Sequence, residues 1–280
     1  MKSVFYSAIL ATLLYSCAPK MSSTITKPQS ALADNEFVLV LHKEDVFKND
    51  GIEIGSIKST DNGFSTKCTY YEVLDELKQM ARKNGANLIK ITDLKNPDQW
   101  STCARVKASI YKVPNYRTHE TEIEWTAGRK LTWEDFKGAP KAIYNHNAAA
   151  VTYCGFGFQA GGATMFSKIK IFTVNTFSTK LSWVRADQQY RPDLLVHEQG
   201  HFDLCEVYTR QLRKKMEEKK LTAFNLNTEA KVIFKAVYAS YLQRQELYEQ
   251  ETEHGLDSLK QQDWNSAIAA ELTDLGSFVR

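Results

Sequence analysis

Five residues constrain the fold of this chain most: His197-Glu198-Gln199-Gly200-His201. Two imidazoles four positions apart share a face, one turn apart, only if the backbone between them is helical. Such a helix can offer both rings to one metal ion. Glu198 then lies where it can take a proton from a water held by the same ion. The residues therefore predict Zn2+ as cofactor, Glu198 as the catalytic carboxylate, and hydrolysis of peptide bonds as the reaction. Pro192 suits the first turn of this helix, and Asp193 suits the positive end of its dipole. The helical pattern runs to about Lys219. Leu194, Val196 and Leu204 are apolar, as in a helix inside a domain. Cys205 flanks the imidazoles on a helical wheel and is expected to pack or to form a disulfide rather than to bind metal.

A catalytic zinc site takes three protein ligands and keeps a position open. The third ligand must come from another element. A second helical stretch begins near Thr228-Glu229, where Asn227 or Thr228 can cap it. Ala230, Ile233, Val237, Tyr241, Tyr248 and Glu251 recur at spacings of three, four or seven. This helix is expected to reach about His254, with Gly255 just beyond its end. Glu251 lies on the stripe, and His254 follows three residues later. Both lie near the C-terminal end, whose dipole favours a cation. The third metal ligand is therefore His254 or Glu251, with His254 preferred and the other orienting a ligand. Tyr248 shares the stripe and is a candidate for stabilising an oxyanion, against a competing role in packing. A last helix is predicted over about 262–275.

Ahead of these helices the pattern alternates. Ala150 to Phe158 and Ile169 to Phe177 read as strands, and Leu181 to Val184 as a short strand or edge. No G-x-x-x-x-G-K-[ST] phosphate loop and no G-x-G-x-x-G turn is present. Three stretches then appear in order: Leu131-Thr132-Trp133-Glu134-Asp135-Phe136-Lys137-Gly138, His197-Glu198-Gln199-Gly200-His201-Phe202-Asp203, and Tyr248-Glu249-Gln250-Glu251-Thr252-Glu253-His254-Gly255. Together they resemble a bacterial domain-of-unknown-function family of predicted secreted zinc-dependent proteases, of zincin type. The resemblance covers roughly residues 123–270. It implies an α+β, zincin-like metallopeptidase domain with a mixed sheet, an active-site helix and a second long helix. It also implies that an edge strand takes the substrate as an added strand, a role for 169–177 or 181–184.

The N-terminal half reads separately. Lys2 followed by the apolar run Val4 to Tyr15 is too short to span a bilayer and reads as an export signal. Leu14-Tyr15-Ser16-Cys17 resembles a bacterial lipobox, which implies lipidation of Cys17 and a membrane anchor at the cell envelope, on the outer membrane or the periplasmic face. Residues 18–35, rich in Ser, Thr and Lys, read as a flexible tether. Residues 36–113 read as a small α/β module. Its strands are expected at 37–41, 52–57, 88–92 and 106–113, and its helix at 70–84 ahead of Gly85. The helix leading into Gly85-Ala86-Asn87-Leu88-Ile89 resembles small exported modules such as the Rcs stress-sensing outer-membrane lipoprotein. Residues 114–122 read as a linker, and 123–280 as the metallopeptidase domain.

Removing Cys17 from five cysteines leaves four. In an oxidising compartment this favours disulfides, and Cys68 with Cys103 is the expected pair. Cys154 and Cys205 are left either as a second pair or as buried thiols. A net charge of +3 over 280 residues is too small and too evenly spread for a nucleic-acid partner. The expected partners are a protein or peptide substrate and, through the lipid, a membrane; oligomeric state stays open. A different class of function remains: a metal-binding sensor or adaptor lipoprotein on a zincin scaffold that does not turn over substrate.

Overall fold

The structure is a computed structural model describing residues 19–61, 65, 67–98, 101, 103–140, 148–161, 169–219, 221–222 and 224–279. The signal and Cys17 lie outside the described residues. Among those residues, no helix is long and apolar enough to cross a membrane.

The N-terminal half is one sheet with one helix. Its elements are β1 (Lys20–Ile25), β2 (Leu39–Leu41), β3 (Ile52–Thr60), α1 (Tyr70–Lys83), β4 (Leu88–Lys95) and β5 (Arg105–Lys112). The sheet order is β1-β3-β5-β4-β2, with only β2 and β4 parallel. The apolar face of α1 (Val73, Leu74, Leu77 and Ala81) packs with Ile54, Ile57, Ile89, Ile91, Val106 and Ile110 of the sheet. Thr69 and Glu72 cap its first turn reciprocally. Gly85 leaves it at φ +78°, where a Cβ would meet the Ser30 carbonyl. The expected disulfide is formed: Cys68 is bonded to Cys103, with Cα atoms 4.8 Å apart.

Of the tether expected over 18–35, the described residues 19–35 are not free. Lys20–Ile25 pairs with Gly55–Thr60 as an edge strand, and Leu32 N–H donates to the Arg82 carbonyl at 2.9 Å. The reason is the unfilled edge of β3, whose backbone groups need partners. Met21 and Ile25 add apolar contact with the core. The predicted linker is also held. Glu120 is buried and ion-paired to Arg129 at 3.2 Å, and His119 Nε2 lies 3.2 Å from Asp50.

The C-terminal half is built on β6 (Glu122–Glu124), β7 (Ala150–Val151), β8 (Cys154–Gly161), β9 (Lys170–Ser178), β10 (Trp183–Val184), α2 (Pro192–Glu218), α3 (Lys231–Glu251) and α4 (Ser258–Asp274). The whole chain is mixed α+β. Strands β6, β9 and β8 form an antiparallel sheet in that order, while β7 pairs with β10. Two expectations are corrected here. The strand predicted over 150–158 is two strands in two sheets, divided at Thr152-Tyr153. The strand predicted at 169–177 lies in the middle of its sheet, with β6 and β8 at the edges, while β10, in the stretch 181–184, is an edge of its two-stranded sheet.

Helix α2 lies between β9 on one side and α3 and α4 on the other. Phe202 packs on Phe177, with ring centroids 5.7 Å apart, on the side of the sheet. Leu204, Val207 and Leu212 share a core with Val237, Tyr241, Trp264 and Ile268. A helix covered on most faces must pair its buried charges. Arg210 accordingly meets Glu206 at 2.9 Å and donates to the Leu272 carbonyl. Val196, expected inside with Leu194, is instead on the exposed side of α2.

Candidate metal centre

The helical register of α2 brings the two imidazoles together, with His197 Nε2 and His201 Nε2 3.2 Å apart. Both face α3, where Glu249 meets them. One carboxylate oxygen lies 3.3 Å from His197 Nε2 and the other 3.2 Å from His201 Nε2. These donor atoms all lie within 4.8 Å of one another, and the three residues form a group able to hold one metal ion. Two donors about 2.0–2.1 Å from a tetrahedral zinc ion would stand about 3.3 Å apart, so the spacing fits zinc.

The other nitrogen of each ring is fixed by an amide. His197 Nδ1 lies 3.0 Å from Gln261 Oε1 on α4, and His201 Nδ1 lies 2.5 Å from Gln245 Oε1 on α3. The amide orientations follow from their other bonds. Gln261 Nε2 donates to Tyr248 Oη and Asn265 Oδ1, and Gln245 Nε2 donates to the His201 carbonyl. Each Oε1 is therefore left to accept from an Nδ1–H, which leaves Nε2 of each ring as the nitrogen that would bind a metal ion.

The carboxylates of Glu249 and Glu198 make this point electronegative. Burial would raise the Glu249 carboxyl, but hydrogen bonds and charge from His197 and His201 hold it well below the usual carboxylate range. Burial would lower His201, but Glu249 and the charge of Glu198 outweigh it and raise the imidazole to about 9. Glu198 is 3% exposed, and its Oε2 has no hydrogen-bond partner among the described residues. A buried carboxylate oxygen left unpaired is costly, and it supplies an acceptor close enough to His201 to act on its charge.

The structure groups Glu249 with the two imidazoles, rather than His254 or Glu251. Helix α3 ends at Glu251, and Glu253, His254 and Gly255 turn left-handed with φ of 50°, 57° and 81°. His254 therefore leaves the helical face. Its ring is exposed, and its Nδ1 lies 2.8 Å from Glu249 Oε2, on the ligand rather than in its place. Glu251 points elsewhere and accepts from Trp264 Nε1 at 2.9 Å. Glu249 was visible only as a polar residue four positions after Gln245 and next to Tyr248, at the margin of the apolar stripe.

Tyr248 takes the packing role. It is fully buried, stacks on His197 with centroids 4.8 Å apart, and donates from its hydroxyl to the His197 carbonyl at 2.9 Å. Burial pushes its phenol up, so it stays protonated. A Cβ on Gly200 would sit 2.2 Å from its Oη, which explains the glycine inside the motif. The stretch 131–138 braces the outer side of α2 instead of entering the centre. Leu131 N–H donates to Gln199 Oε1 at 2.8 Å, and Gln199 Nε2 in turn donates to Asp203. Trp125 Nε1, just upstream, also donates to Asp203, at 2.6 Å.

Neither a curated protein nor a solved structure matches the chain. The family match falls on the part of the molecule that supplies all three donors: residues 172–255, carrying most of β9 and the whole of α2 and α3, match the family described as "Bacterial protein of unknown function (DUF922)".

Proposed function

We propose that this chain is a zinc-dependent peptide hydrolase of the cell envelope, built on a zincin-like scaffold and anchored by a lipid on Cys17. The supporting observation is the convergence of His197, His201 and Glu249 near the buried carboxylate of Glu198, whose Oε2 has no hydrogen-bond partner among the described residues. These three residues would hold the ion. Bound there, zinc would lower the pKa of a water toward neutrality and polarise a carbonyl oxygen. Glu198 takes the proton of the attacking water and delivers it to the leaving amine. Gln245 and Gln261 keep both Nε2 atoms aimed inward, and Tyr248 closes the space behind His197 to water. The free edge of β8, next to α2, suits a peptide added as a strand. The N-terminal sheet contributes no residue to the ring of donors and serves as a docking or positioning unit.

Metal analysis and cleavage of a peptide library test this. Wild type should hold about one zinc per chain, and His197→Ala and Glu249→Ala should lose it. Glu198→Gln should retain zinc and cleave at least about a hundredfold more slowly. Wild type and Glu198→Gln cleaving equally poorly, both zinc-loaded, would replace the enzyme with the sensor or adaptor reading.

A further inference from the structure

Two thiols lie beside the metal centre and take no part in the chemistry above. Cys205 follows His201 by one helical turn on α2 and is fully buried. Cys154 opens β8 from the facing layer. Its sulfur lies 3.6 Å from the His201 carbonyl and 3.6 Å from the Tyr241 hydroxyl on α3. Cys205 is four residues past His201, whose carbonyl the Cys154 sulfur meets, and both cysteines pack in one apolar cluster, so the two thiols lie at the same strand–helix interface. Cys154 is the reachable member. It is half-buried and lines a groove with Tyr153, Phe156, Phe234 and Tyr238. The same chain carries the closed Cys68–Cys103 bridge, and disulfides form and persist in oxidising compartments.

We propose that Cys154 and Cys205 are a reversible dithiol–disulfide pair, oxidised by exchange with a low-molecular-weight disulfide that enters through the groove. Exchange starts at Cys154, the less buried of the two. The Cys154 thiolate attacks one sulfur of the small disulfide, the S–S bond breaks, and one small thiolate leaves. The Cys205 thiolate then attacks Cys154 Sγ and expels the second. The protein gives up two electrons and two protons, and the small disulfide leaves as two thiols. The new bond ties β8 to α2 one turn past His201. Thr152 Oγ1 already holds the same strand segment to the Glu198 carbonyl, at 3.3 Å. The oxidised form thus loses the freedom of β8 to move against the ligand helix, whether or not the centre turns over a peptide.

The test uses the full chain, equilibrated in glutathione buffers of increasing oxidised fraction, alkylated, digested and mapped by mass spectrometry. The expected product is a cross-linked peptide pair carrying Cys154 and Cys205, reversed by excess reduced glutathione. In Cys205→Ala, glutathione should accumulate on Cys154; in Cys154→Ala, Cys205 should stay unmodified. The wild-type map does not depend on how the variants fold. A wild type whose Cys154 and Cys205 both remain alkylatable where Cys68 and Cys103 are fully joined overturns the proposal. So does a lasting glutathione adduct on wild-type Cys154.

Discussion

At the scale of single residues, orientation of the rings decides whether the centre can hold an ion. Each imidazole receives an acceptor from a different helix, Gln245 on α3 and Gln261 on α4. Losing such a partner costs metal affinity about 10–100-fold. Gln261→Leu keeps the side-chain volume and should weaken zinc binding by that factor in competition with a chromogenic chelator, with the circular dichroism unchanged. Unchanged affinity would show that the amide does not orient His197. His197, Glu198 and His201 were legible because their spacing has meaning within one helix. Glu249, Gln245 and Gln261 were not, because their contacts cross between helices. A polar residue at the margin of an apolar stripe reads the same whether it faces water or a buried imidazole. His254 stands off the group of three donors for a backbone reason: three left-handed residues end the periodicity on which its placement relied.

At the scale of elements, the turn leaving α3 sets the position of His197 from outside its own helix. Gly255 has φ +81°, and a Cβ there would sit 2.9 Å from His197 Cβ and Cγ. Gly255→Ala combines a left-handed alanine, costing about 1–2 kcal/mol, with displacement of the ligand ring. It should lower unfolding free energy by about 2 kcal/mol in urea titration and weaken zinc binding as well. Gly128→Ala, where a Cβ would meet nothing within 4 Å, serves as the control and should be close to neutral. If both variants behave alike, the turn does not bear on the ligand. The long helices were readable because many turns of periodicity average out local ambiguity. The strands were less so. β1 has a weak apolar pattern and is held by the edge it completes, and the break at Thr152-Tyr153 follows from pairing with two different partners. Both are matters of long-range register that a local window does not contain.

At the scale of the molecule, the two halves are joined where α1 meets the β8–β9 sheet. Tyr71 packs on Phe172 with centroids 5.7 Å apart, and Glu72 is ion-paired to Lys170. A Cβ on Gly161 would strike Thr69, so the end of β8 lies directly against the cap of α1. The N-terminal sheet thereby steadies the strand that borders the group of His197, His201 and Glu249, without adding a member to it among the described residues. Glu72 reports on this joint through pH. Burial raises its carboxyl, but bonds from Lys170 and Thr69 outweigh burial and hold it below its ordinary value of 4.5. A carboxyl depressed in the folded chain stabilises that chain above its unfolded value, and the contribution disappears as pH falls through the folded value. Wild type should therefore melt higher than Glu72→Gln near pH 6, and the gap should close in acid below 4.5. The substitution keeps an acceptor for the Thr69 cap, so the pH-dependent part of the gap belongs to the charge on Glu72 and its pairing with Lys170. Added salt should narrow it, since the pair is partly exposed. A gap that stays constant from pH 6 to strong acid would assign the joint to the packing of Tyr71 on Phe172, and the ion pair would then have no part in holding the halves together.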